Sequence, residues 1–313
     1  MKDKTGQGTA FLPLSRVLLG TILGGAFGFL VIVWNSEDLS SQRFLKSHDG
    51  FSWLAVVTAQ SALWGLILVL MLRKTLYLLK SVFSHHPGVG VIGSFGLYLA
   101  SYLLLYWFPQ QLIKNLTGDR LDGAIPLAHY AVKNVILLAV QLVVALLPLT
   151  GIWSMDWSIR NTVVSDWTEE QCFSTLLETR SYLLSIGAVL TTIVSLSFLG
   201  LVLWGKALRL YVGFEWFSDP PLVIYGVYLT VLVALSYVPA YLNLLCAARH
   251  VRDRFYPSVL PGAPDYDERT ALRKKVDEML GLPVSVLEGI RIFATILVPV
   301  ITSLVYSFLG LKQ

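Results

Sequence analysis

Seven apolar runs, each about twenty residues long, constrain this chain more than any other feature, because that length crosses a hydrocarbon core as a helix. They cover residues 17–34, 51–72, 89–108, 135–153, 182–204, 222–248 and 292–311. Lipid offers no hydrogen-bond partners, so a run that crosses it must satisfy its own backbone. None of the runs alternates apolar and polar residues in the manner of a barrel strand. The expected fold is therefore all-α: one polytopic transmembrane bundle spanning residues 1–313. Composition agrees, with 55% hydrophobic and only 14% charged residues, about half the charged share of a soluble chain. Lys2, Lys4 and Arg16 ahead of the first run resemble a signal peptide. The run is too long for one and lacks a cleavage pattern, so it is read as a retained span. Trp34, Trp53, Trp107, Trp153 and Trp204 stand at run ends, where indole rings favour the headgroup level.

Lys and Arg orient the bundle. With the N-terminus inside, sixteen of the 24 fall on the inner side and eight on the outer. The positive-inside rule then places the N-terminus in the cytoplasm, the C-terminus outside, and the protein in a cell or inner membrane. The 249–291 loop carries much of the bias and is expected to be cytoplasmic. Its first arginines, Arg249, Arg252 and Arg254, continue the sixth run without a break. They are candidate contacts for anionic headgroups or an acidic partner. On a helix Arg249 and Arg252 share a face, Arg254 turns away, and Asp253 lies near neither alone. Pro257, Pro261 and Pro264 then form a non-helical linker. From 267 to 280 an amphipathic helix is expected, with Leu272, Val276, Met279 and Leu280 as its apolar stripe. Arg273 with Asp277, and Lys274 with Glu278, are expected as ion pairs one turn apart. Gly281 and Pro283 end the helix.

Gly20, Gly24 and Gly28 recur every four residues and mark a helix-packing face of the first span, where backbones approach closely. Packing within the chain is preferred to homo-oligomerisation, and Gly93, Gly96 and Ala100 of the third span offer a facing groove. The 154–181 segment reads as an acidic connection. Its Thr168-Glu169-Glu170-Gln171 has the form of a capping box opening a helix. Lys133 stands at the entry of the fourth span, where its ammonium can snorkel to headgroups.

The run cores hold no Asp, Glu, Lys, Arg or His, which argues against proton pumps, voltage sensors and intramembrane metalloproteases. Uncharged polar residues remain: Gln60, Asn134, Gln141 and Asn243 as a possible polar path, with Ser and Thr on the fifth span. Gly93-Ser94-Phe95-Gly96 has no histidine at depth to activate its serine, so no protease is assigned. No catalytic residue, metal site or cofactor is expected: His85-His86 point apart, and Cys172 and Cys246 are distant. No basic domain suggests nucleic acid. Asn115-Leu116-Thr117 fits a glycosylation acceptor on the outer side. Two function classes follow. The first is a non-enzymatic component that assembles, anchors or signals through its basic loop, meeting the bilayer, another copy, or a membrane or cytosolic protein. The second is a channel or transporter for a small solute. An enzyme acting on lipid headgroups is a distant third.

Overall fold

The computed structural model describes residues 14–85, 88, 90–101, 103, 126–162, 168–212, 219–262 and 265–282. These form eight helices: α1 (Leu14–Val33), α2 (Leu39–Lys46), α3 (His48–His85), α4 (Gly90–Ser101), α5 (Tyr130–Thr162), α6 (Glu169–Val212), α7 (Asp219–Phe255) and α8 (Tyr266–Leu280). Five of them, α1, α3, α5, α6 and α7, are long and apolar enough to cross a membrane. The 292–311 run, part of the 89–108 run and Asn115 lie outside the described residues.

Four of the long helices overrun their apolar runs. Hydropathy marks where a helix can meet hydrocarbon, not where it stops, and helix ends need caps or breakers. The 154–181 connection thus largely becomes helix, its first part closing α5 and its second opening α6. At Thr168 the capping box forms: the Thr168 amide donates to Gln171 Oε1 at 3.1 Å and the Gln171 amide to Thr168 Oγ1 at 3.4 Å. The short α2 had no counterpart among the apolar runs. Asp38 caps it by accepting from the Ser41 amide at 2.9 Å. Hydrogen bonds from Ser40 and Ser41 hold the Asp38 carboxyl down at about 2.

Paired contacts fix the helix directions. Gly20 lies against Val69 and Gly28 against Ser61, so α1 and α3 are antiparallel. Gln60 and Gln141 meet at Ser197, while Thr75 meets Leu147 and Tyr182. Hence α3 and α5 run together and α6 runs against them. Asn243 meets Asp156, and Tyr256 meets Glu169, which sets α7 parallel to α5 and against α6. Arg73, Lys74, Arg160, Arg180 and the α7 arginines therefore share one end, the basic end. The chain reaches that end at His85 and sets out again from the opposite end at Tyr130. Between them α4 leads inward, with Ser94 beside Trp153 and Tyr98 beside Leu149.

The glycine face of α1 packs on α3, not on the Gly93–Gly96 groove. A Cβ on Gly24 would stand 2.9 Å from the Gly65 nitrogen and closer still to the Ser61 carbonyl. No described atom lies within 4 Å of a Cβ built on Gly93 or Gly96. Ser61 and Gly65 are themselves four residues apart, so small residues line both sides of the seam. Trp53, Trp153 and Trp204, expected at headgroup level, are buried within the protein in aromatic clusters. Trp204 stacks on Tyr130 at 4.7 Å and meets Trp53 tilted at 4.6 Å, with Phe44 edge-on at 5.6 Å. Trp153 joins Phe95 and Trp157 near the basic end.

Candidate functional site at the basic end

The α7 helix carries Arg249 to Arg254 past its apolar part, and α8 returns onto it after a proline-containing linker. Val276 and Leu280 of α8 are buried in the main core, which also holds Val251, Phe173 and Leu176. Gly281 ends α8 in a left-handed conformation at φ 61°, its amide and that of Leu282 turning back to Glu278 and Asp277 carbonyls. Any side chain at Gly281 would also meet the Arg180 guanidinium. That places a cation at the carbonyl end of α8, where the helix dipole favours it.

Ion pairs finish the joint. Arg252 donates to Asp277 of α8 at 2.8 Å and contacts the neighbouring Asp253 at 2.9 Å. From the other side Arg273 reaches Asp253 at 2.5 Å and the Tyr256 carbonyl at 2.7 Å. Asp253 thus bridges two arginines, and the expected Arg273–Asp277 pair within α8 gives way to cross-helix partners. Helix spacing allows one-turn pairs, but the packed face of α8 turns Arg273 and Asp277 toward α7. The Tyr256 hydroxyl donates to Glu169 of α6 at 2.5 Å, which pushes the phenol's pKa up.

Among the three candidate arginines, Arg252 is therefore committed to the joint. Arg249 is exposed, and Arg254 is exposed with its guanidinium 5.0 Å from the Phe255 ring. Lys274 and Lys275 are exposed, and like Arg249 they have no ion-pair partner among the described residues. The basic end thus divides the cations of α7 and α8: Arg252 and Arg273 hold α8, while Arg249, Lys274 and Lys275 stay exposed.

The possible polar path resolves into separate contacts. Gln60 and Gln141 donate from two helices to the same Ser197 hydroxyl, at 2.8 and 3.0 Å, and Ser197 donates on to the Ile193 carbonyl. This node joins α3, α5 and α6 as interhelical glue. Asn243 donates to Asp156, a carboxylate also paired with Arg160 at 3.0 Å. Asn134 is half-buried. The structure brings Gln60 and Gln141 together and leaves Asn134 and Asn243 out of their node.

Lys133 does not snorkel. It is 0% exposed at the opposite end, donating to the Ile32 carbonyl at 3.0 Å and Ser36 Oγ at 2.6 Å. Ile32 lies in the last turn of α1, so the ammonium satisfies a carbonyl that helix geometry leaves open. Sequence placed Lys133 at a span entry but could not show that another helix ends against it. Among the described residues no group of His, Cys, Asp and Glu is arranged to hold a metal ion.

The fold and its basic end thus describe an all-helical protein with five helices suited to a membrane and a docked polar helix at one end. No protein-family model, curated protein or solved structure matches the chain.

Proposed function

We propose that this is an integral multi-pass membrane protein of non-enzymatic function, whose α7–α8 unit is a fixed cytoplasmic platform for an anionic partner. The observation that carries the reading is the arginine joint. Arg252 and Arg273 anchor the platform through Asp277 and Asp253, while Arg249, Lys274 and Lys275 stay exposed. A loop serving only as a topological signal has no need of such fixing. The cytoplasmic assignment rests on the sixteen-to-eight distribution of Lys and Arg.

The test combines capture and flux. Anionic lipid or protein co-purified from native membranes should be lost from the Arg249→Gln, Lys275→Gln variant while insertion is unchanged. Purified protein in liposomes should pass no small solute and no current. Flux that Ser197→Ala alters would overturn the platform reading and favour the second one, a channel or transporter. What supports that alternative is the polar node of Gln60, Gln141 and Ser197 between three helices.

A further inference from the structure

The apolar stripe of α8 is divided by the bundle. At about 100° per residue, Leu272, Met279, Val276 and Leu280 fill an arc of about 100°. The bundle covers one half: Val276 is 8% and Leu280 3% exposed. The other half is open, with Leu272 42% and Met279 46% exposed one above the other. Lys275 is exposed about 40° beyond Met279, at the edge of that open half. Lys274 lies on the far side of the helix.

We propose that the Leu272–Met279 ridge seats in the anionic surface of the bilayer that the bundle spans, with Lys275 at the headgroups. This deepens the platform reading, on which it rests, by naming the lipid surface as the anionic partner. Three features point to lipid. The ridge continues the same apolar arc that packs on α6 and α7, so it opens beside the bundle rather than away from it. The α8 helix begins eleven positions after the last residue of α7, a helix suited to cross the membrane, which keeps it near the exit level. An apolar ridge edged by a lysine is the pattern by which a helix lies in an interface over anionic lipid.

The experiment uses the full chain with Cys246→Ser; Cys172 is buried and stays unlabelled. Met279→Cys or Lys274→Cys is labelled with a small environment-sensitive fluorophore. The protein is placed in nanodiscs of phosphatidylcholine, with or without phosphatidylglycerol, containing chain-brominated lipid. The expected result is quenching at position 279 about twofold or more above that at 274, stronger with phosphatidylglycerol, for a ridge seated at the acyl boundary. Equal quenching at the two positions would overturn the proposal, as would free access of aqueous iodide to 279. Equal quenching of 279 with and without phosphatidylglycerol would overturn its anionic part. The side of position 279 is read separately with an impermeant thiol reagent in sealed vesicles of known orientation: an unquenched 279 that is reached from the cytoplasmic face sinks this inference alone, whereas a 279 reached only from outside sinks the platform reading as well.

Discussion

Two joints in the molecule use opposite means. Between α1 and α3 small residues bring the two backbones close: Gly24 meets the Ser61 and Gly65 backbone, Gly20 meets Val69 and Gly65, Gly28 meets Ser61, and there is no room for a Cβ. Between α7 and α8 the contact is a small apolar patch closed by Arg252, Asp253, Arg273 and Asp277. Where lipid removes the hydrophobic drive between helices, close packing has to supply the association. Where water is present, charged groups can be brought together at lower desolvation cost, and they confer register. The first joint should therefore fail when volume is added and ignore salt. The second should fail when a charge is removed and weaken in salt.

The largest effect is expected from Gly24→Leu. Even one added carbon collides with α3 backbone, so the helices must separate, at a cost of about 1–3 kcal/mol. Thermal unfolding in detergent should show a clear loss that is insensitive to salt; an unchanged midpoint would remove the seam from the account. Next comes Arg252→Gln, which leaves Asp277 partly buried without its charged donor. Discounting for partial exposure, the loss is about 1 kcal/mol. It should appear as faster amide exchange confined to α8, and high salt should narrow the gap to wild type. Exchange that rises equally in α1 would show that the two joints are not independent. Ser197→Ala removes the acceptor shared by Gln60 and Gln141, and interhelical bonds of this kind average about 0.6 kcal/mol. A loss as large as that of Gly24→Leu would mean that polar contacts, not the seam, dominate the bundle.

The smallest effect concerns pH. The Asp38 carboxyl is depressed from 3.8 to about 2. Its support for α2 is thus full above the unfolded value and lost as pH falls through the folded one. Asp38→Asn should abolish the dependence of α2 exchange protection on pH between those values. A dependence that persists would assign it to another carboxylate.

Much of this architecture was legible, for reasons that also mark what was not. Runs of about twenty apolar residues announced the long helices, and the Thr168–Gln171 box announced the start of α6. Helix length beyond the apolar run left no hydropathy signal, so the polar ends of α5 and α6 read as a connection. The glycine period of α1 revealed a close-packed face but not its partner. The matching signal lay in Ser61 and Gly65, one turn apart in the second run. At the basic end, local spacing suggested pairs within α8, yet the actual partners are 20 and 25 residues apart, Asp253 with Arg273 and Arg252 with Asp277. Lys133 teaches the same lesson: sequence gives a position along its own helix, and only the fold supplies the Ile32 carbonyl and Ser36.

The whole reading turns on α8 and α2 lying on opposite faces of a membrane, with α8 inside. Single cysteines at Lys275 and Arg43, in a Cys246→Ser background, can be probed with an impermeant maleimide in sealed vesicles of known orientation. The expected result is labelling of position 275 only from the cytoplasmic face and of position 43 only from the other. Labelling of both positions from one face, or of 275 only from outside, would contradict it.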